Sequence, residues 1–170
     1  MKKGMIYVFT GDGKGKTSAA LGMVIRALSH EMKVGWVSWY KEEKWKMGEL
    51  GLKGKIEMYF TGKGFYNLPT DKVSFKKHKA AAIAGLKQAE KLIKKVDVLV
   101  LDEINNVVKD DLIDIIELIE LISDRKKTHL ILTGRSVNKR IVELANLVTE
   151  CKKVKHPFDK GVKAIKGLDY

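Results

Sequence analysis

The run Thr10-Gly11-Asp12-Gly13-Lys14-Gly15-Lys16-Thr17-Ser18 brings glycines, lysines and hydroxyls together in the spacing of a phosphate-binding loop. Its glycines let the backbone turn so that successive N–H groups point at phosphate oxygens. A helix starting here would add the partial positive charge of its N-terminus, Lys16 supplies a point charge, and the Thr17 hydroxyl is a ligand type that suits Mg²⁺. One position departs from the pattern G-x-x-x-x-G-K-[ST]: where that pattern opens on glycine this chain has Thr10, with Gly11 one place late. The cradle is therefore expected to differ from that of ordinary nucleotide hydrolases.

A second acidic anchor follows the apolar run Val98-Leu99-Val100-Leu101, which ends in Asp102-Glu103. Carboxylates at the C-terminal edge of a strand beside such a loop suit Mg²⁺, directly or through water. The chain shows neither a Ser/His/Asp arrangement nor a metal-spaced Cys/His cluster, since His30, His78, His129 and His156 are scattered. This sparse pattern fits an ATP-dependent reaction whose nucleophile comes from the substrate. Catalysis then consists of positioning and of stabilising the leaving group.

Strands and helices must position these groups, and the hydrophobic pattern supplies them. Strand-like runs rich in β-branched and aromatic residues fall at Met5–Thr10, Val34–Tyr40, Ile56–Thr61, Val96–Asp102, Leu130–Thr133 and Leu147–Val154. Helical patterns lie between them at Thr17–His30, Ser74–Lys95, Leu112–Arg125 and Asn138–Ala145. Their alternation predicts an α/β fold with a mostly parallel six-stranded sheet and helices on both faces. In the third helix Leu112, Ile115, Ile116, Ile119 and Ile122 are expected inward, with Asp114, Glu117, Glu120 and Asp124 as a solvated acidic face. Two glycine-rich, charged segments with aromatics, Lys41–Lys55 and Gly62–Thr70, follow strands and are expected to line the ligand crevice.

At 170 residues, 45% hydrophobic and 32% charged, the chain reads as a single domain spanning residues 1–170. The segment Met1-Lys2-Lys3-Gly4 leads straight into a strand, and no apolar stretch is long enough to span a bilayer, so a cytoplasmic protein is expected. The lone Cys151 is expected to be a buried structural thiol. A net charge of +12 favours polyanions such as a triphosphate, yet the basic residues are nearly all lysine, with Arg26, Arg125, Arg135 and Arg140 the exceptions. Base readout favours arginine, so no specific nucleic-acid partner is expected.

With these segments laid out, the chain resembles the P-loop family of ATP:corrinoid (cob(I)alamin) adenosyltransferases from end to end. The resemblance rests on Phe9 through Thr17, Gly48-Glu49, Thr61-Gly62-Lys63-Gly64-Phe65, Val100-Leu101-Asp102-Glu103, Leu132-Thr133-Gly134-Arg135, and the tail from Val154 to Ala164, with its Lys155-His156-Pro157-Phe158-Asp159 core. It implies a RecA-like P-loop fold, commonly a homodimer, that holds MgATP so that the 5′ carbon faces a corrinoid whose cobalt(I) attacks it and expels triphosphate. An electron-donor protein that reduces the cobalt is a further possible partner.

On that resemblance Gly11 through Thr17 hold the leaving group, Thr17 and Glu103 with Asp102 nearby hold Mg²⁺, and Arg135 lies close to the nucleotide. Phe65 faces the corrinoid, with Tyr66, Asn67 and His156 as further site residues. Departures from the usual family pattern fall at Asn67, where Trp is common, at Ser38-Trp39, where Gln-Phe is common, and at Ser136 and Ile165. In the resembling enzymes apolar bulk under the ring displaces the lower axial ligand. Asn67 thus predicts weaker action on corrinoids that carry an attached lower base. Two rivals share the loop: a RecA-like ATP-dependent nucleic-acid-binding protein and a small-molecule kinase. The product separates them, since only adenosyl transfer releases tripolyphosphate.

Overall fold

The computed structural model describes residues 3–170, so Met1 and Lys2 of the expected leaderless start lie outside the described residues. Six strands form one wholly parallel sheet: β1 (Ile6–Thr10), β2 (Val34–Ser38), β3 (Glu57–Phe60), β4 (Val98–Asp102), β5 (His129–Thr133) and β6 (Leu147–Glu150). Their order is β3-β2-β4-β5-β1-β6. β5 therefore lies between β1, which carries the phosphate loop, and β4, which carries Asp102. The C-terminal ends of all three open on the same edge, where ligands of parallel sheets bind.

The apolar runs of β2 and β4 are buried on both faces, as the central strands of a covered parallel sheet must be. On one face α1 (Lys16–Ser29) packs Ala20, Val24 and Ala27 against Trp36, Val100 and Ile131. On the other, α2 (Phe75–Leu92), α3 (Ile104–Lys109), α4 (Ile115–Ser123) and α5 (Lys139–Leu144) cover the larger core around Leu99, Leu101, Leu130 and Leu132. Helices on both faces of a parallel sheet agree with the expectation. Among the described residues no helix is long and apolar enough to cross a membrane.

Several boundaries moved for identifiable reasons. The helix expected from Leu112 starts at Ile115, because Asp114 and Glu117 form a capping box that fixes the first turn there. Leu112 and Ile113 are buried ahead of it, and Leu118 and Ile122 lead the inward stripe. Ile116, expected inward, is 53% exposed, because at 3.6 residues per turn it lies on the side of the helix away from Leu118, Leu121 and Ile122. The short helix α3 was missed, for six residues carry too little periodicity. β6 stops at Glu150 rather than Val154. Beyond it Cys151 is half-buried, not fully buried as expected, since only one side of this edge segment is covered.

Candidate active site

The phosphate loop is shaped by the chain end of β6. Gly13 N–H donates to the Cys151 carbonyl at 2.6 Å, and Cys151 N–H donates to the Thr10 carbonyl at 2.7 Å. A Cβ built on Gly11 or Gly13 would stand 2.6 Å from that same Cys151 oxygen, so side chains are excluded at both positions. Gly11 also has φ 97°, a left-handed conformation that glycine adopts without strain. This explains the displaced glycine of the motif. Thr10 is still strand, the last residue of β1, and the turn begins one residue later.

Gly15, at φ 118°, caps α1, and Lys16 opens the helix. The Lys16 ammonium donates to the carbonyls of Gly11 at 2.8 Å and Gly13 at 2.6 Å, curling back over the loop. Burial lowers its pKa from the ordinary lysine value, although Glu103 pulls the other way. A cation folded into a ring of N–H groups is a ready partner for phosphate.

Asp102 is completely buried, and its oxygens are filled by protein donors. Oδ1 accepts from Thr17 Oγ1 at 3.1 Å and Thr133 Oγ1 at 2.8 Å. Oδ2 accepts from Ser38 Oγ at 2.7 Å and faces Lys41 Nζ at 2.9 Å. Burial alone would raise its pKa, but Lys41 and the hydroxyl donors outweigh it and hold the carboxyl below its usual range. Glu103 differs. Its backbone is left-handed at φ 66°, its N–H donates to Thr133 Oγ1 at 2.9 Å, and its carboxylate accepts no hydrogen bond among the described residues. Burial, and then repulsion from Asp102, pushes the Glu103 carboxyl up to about 7.

The donor set fits Mg²⁺ held jointly with a nucleotide. Among the described residues no three Asp, Glu, His or Cys side chains cluster to hold a metal alone. Mg²⁺ commonly takes one or two carboxylates and completes its octahedron with water and phosphate oxygens. Glu103 has a free carboxylate and Thr17 an adjustable hydroxyl, whereas Asp102 is saturated and suits orienting Thr17 or a bound water.

A cleft of about 1010 Å³ opens beside the loop, lined by Asp12, Gly13, Lys14 and Lys16 of the loop together with Phe65 and Leu68. Arg135, 3.7 Å from Asp12, and His156 complete its rim with the tail residues Pro157 to Asp159. The His156 ring is also a structural cap, Nδ1 accepting from Phe158 N–H at 3.2 Å. Lys14 reaches the chain end, donating to the Leu168 carbonyl at 3.0 Å and pairing with Asp169.

The chain that forms this cleft is matched by known proteins along almost its whole length. A sequence model described as ATP:corrinoid adenosyltransferase BtuR/CobO/CobP matches residues 2–170. This chain belongs to that family. As a corrinoid adenosyltransferase it is 36% identical over 174 residues to the Escherichia coli (strain K12) "Corrinoid adenosyltransferase", covering 99% of this chain and 87% of the relative. The Salmonella typhimurium "Corrinoid adenosyltransferase CobA" matches at 36% with the same coverage. A Sinorhizobium "Corrinoid adenosyltransferase" matches at 35% over 178 residues, 99% of this chain and 81% of that one. Among solved structures, one titled as a DNA replication initiation factor shares 16% identity at a TM-score of 0.47, over 87% of this chain and 40% of that chain.

Not every expected site residue reaches the adenosyltransferase cleft. Ser18 is exposed on the first turn of α1, and Thr10 is buried at the end of β1. Tyr66 turns away, edge-on to Phe75 at 5.7 Å and His78 at 5.3 Å. Asn67 is exposed and left-handed at φ 59°, its N–H donating to Asp71 Oδ2 at 3.0 Å, so its residue type suits a turn. Leu68 lines the cleft in its stead. Sequence reasoning assigned no role to Ser38, Lys41 and Thr133 around Asp102 or to Glu49 beyond Lys41, although Glu49 and Thr133 stand in the motifs that carry the resemblance. Ser38 was visible only as a departure from the family pattern, and its hydroxyl proves to orient the carboxylate.

Proposed function

We propose that this adenosyltransferase moves the 5′-deoxyadenosyl group of ATP onto the cobalt(I) of a reduced corrinoid. The observation that carries the reading is one cleft lined both by the phosphate-loop lysines Lys14 and Lys16 and by the apolar Phe65 and Leu68. Cobalt(I) supplies the electron pair of the new cobalt–carbon bond and becomes formally cobalt(III). The bond from the 5′ carbon to oxygen breaks, and its electrons leave with triphosphate. No protein nucleophile enters this balance.

The chain's residues then divide the work. Gly11 to Gly15 present backbone donors to the departing triphosphate, and Lys16, released from the Gly11 and Gly13 carbonyls, neutralises its growing charge. Thr17 and Glu103 would hold Mg²⁺, with Asp102 fixing Thr17, and the bound ion would supply further positive charge for the departing phosphates. Arg135 closes on the nucleotide from the end of β5, exchanging its contact with Asp12 for phosphate. Phe65, with Leu68, receives the corrinoid, and His156 shapes the rim.

A homodimer and a cytoplasmic setting belong to the same reading, as does a separate protein that delivers the reducing electron. Val142, Leu144, Leu147 and Val148 leave an exposed apolar surface at the α5–β6 edge that suits self-association. The test is an anaerobic reaction of the protein with MgATP and chemically reduced corrinoid. A visible spectrum showing the cobalt–carbon bond, together with tripolyphosphate as product, is expected. Release of ADP would instead mark a kinase or, if stimulated by nucleic acid, the RecA-like rival.

A further inference from the structure

Lys41 is a charged side chain that the proposed chemistry does not use, and it is nearly enclosed, with 14% of its side chain exposed. Its ammonium lies 2.9 Å from Asp102 Oδ2 and 2.8 Å from Glu49 Oε1, and both carboxylates are themselves buried. Burial works against the charged form, but the two acids outweigh it and raise its pKa above the ordinary lysine value. Replacing such an enclosed cluster with apolar groups often leaves stability unchanged, so stability is a poor reason for its presence. Its use lies in what it connects.

On one side it meets Asp102, whose other oxygen orients Thr17. On the other, Glu49 ties down the 3₁₀ turn Gly48–Leu52 in the irregular segment after β2. The backbone around Lys41 holds a third part. Its carbonyl accepts from Gly62 N–H at 3.1 Å, and the Tyr40 carbonyl accepts from Gly64 N–H at 3.0 Å. The Tyr40 ring stacks on Phe65 with centroids 5.5 Å apart, and Trp45 lies against the same Phe65 ring at 6.1 Å. Tyr40 is left-handed at φ 65°, a conformation uncommon for an aromatic residue and held here by surrounding contacts, including its hydroxyl donating to Asp110.

We propose that Lys41 is a positioning residue that sets the Phe65 wall of the cleft against the metal-side carboxylates, acting through Asp102 on one flank and Glu49 on the other. The proposal rests on the reading of Phe65 as the corrinoid-facing residue. Lys41 touches neither substrate. It fixes the distance between the group that holds the leaving phosphates and the surface that presents the nucleophile. A displacement of about 1 Å between reacting partners can cost about 100-fold in rate.

The test compares Lys41→Met, Lys41→Arg and Glu49→Gln in the full chain. The first readout needs no ligand: acrylamide quenching of tryptophan fluorescence. Trp36 and Trp39 are 0% and 1% exposed, so quenching reports Trp45, which packs on Phe65. Lys41→Met is expected to unshield Trp45 and to raise the ratio of corrinoid KM to ATP KM about tenfold, as loss of a second-layer partner commonly does. Lys41→Arg is expected to restore both. Glu49→Gln, which keeps the shape and leaves Lys41 on Asp102, gives the same two readings should Lys41→Met fail to fold. Unchanged Trp45 quenching in the folded variants, or equal proportional rises in both KM values, overturns the proposal. Absence of adenosyl transfer by the wild type would defeat the functional reading alone, because quenching still reports whether Lys41 anchors the wall.

Discussion

The Thr17 hydroxyl donates to Asp102 Oδ1 at 3.1 Å, joining the first turn of α1 to the end of β4 across the intervening strand β5. That oxygen also accepts from Thr133 on β5, so one buried carboxylate ties the first turn of α1 to the ends of β4 and β5. The arrangement gives Thr17 a defined direction before any ligand arrives. Thr17→Val removes the hydroxyl and leaves Asp102 short of one donor. It is expected to raise the Mg²⁺ concentration needed for half-maximal rate by about tenfold, the scale set by loss of one ligand or its partner. A Mg²⁺ titration of the folded variant that overlays the wild type would remove Thr17 from the metal site.

Lys16→Ala is expected to lower the rate by one or more factors of ten, each corresponding to about 1.4 kcal/mol of transition-state stabilisation. Its two contacts are to loop carbonyls, so the ammonium is held in the loop yet can turn toward phosphate. The fold should survive, because those contacts are local to residues 11–16. Single-turnover kinetics at saturating ATP separates this loss from weaker binding. Turnover near the wild-type rate would show that the loop does not serve the leaving group.

Gly13→Ala tests the other half of the cradle. The added Cβ falls 2.6 Å from the Cys151 oxygen and within 2.8 Å of Lys152 backbone atoms, contacts that backbone cannot relieve without moving. A loss of about 1–3 kcal/mol in stability is expected for such overpacking. The Gly13 N–H to Cys151 bond should be lost with it, and ATP affinity should fall further than stability alone requires. Calorimetric ATP binding at a temperature where the variant stays folded checks this.

These residues show what a sequence can and cannot disclose. The loop, the Asp102-Glu103 pair and six strands were legible because each rests on local spacing: a glycine turn, a strand end, a period of two or a buried run. Cys151 shaping the loop was not legible, since a main-chain carbonyl has no sequence signature and its partner lies 138 positions away. Lys41 and Glu49 lay inside a segment expected to line the crevice, with Glu49 in a motif shared with the family, but neither residue had a role assigned. Nothing in their spacing marks which charges are enclosed against Asp102, because that depends on β2 and β4 being neighbours. Asn67 shows the converse, where a family-based expectation of a ligand contact met a backbone at φ 59°.

Glu103 gives the protein a pH signature in the absence of metal. Its folded-state carboxyl sits at about 7, above its ordinary 4.5, chiefly through burial and then through Asp102. Between those two values the folded chain keeps a proton that the unfolded chain has released. Stability contributed by this group is therefore present below the ordinary value and is lost as pH rises toward 7. Glu103→Gln lacks the titration. The melting temperature of the variant relative to wild type, without Mg²⁺ or nucleotide, is expected to be higher at about pH 8 than at about pH 5. A constant offset across that range would show that Glu103 is ionised normally. Saturating MgATP should flatten the difference in the wild type, because a bound cation favours the carboxylate.

The lower face of the corrinoid offers the final prediction. Where related enzymes commonly carry Trp, this chain has Asn67, turned outward and held by Asp71, while Leu68 is 50% exposed and lines the cleft with Phe65. Leu68 covers less apolar area than an indole, so it excludes a lower axial ligand and its water less completely. The wild type is therefore expected to act faster on cobinamide, which lacks the attached base, than on cobalamin. Leu68→Ala should widen that gap, since removing most of a side chain that covers the ring loses roughly 1 kcal/mol, about fivefold. Asn67→Gly, which keeps the left-handed turn and removes only an outward side chain, should leave the gap as it is. Rates with both substrates under one reductant decide the matter. Equal rates in the wild type, unmoved by Leu68→Ala, would show that neither residue controls the lower face. A change confined to Asn67→Gly would return that role to Asn67.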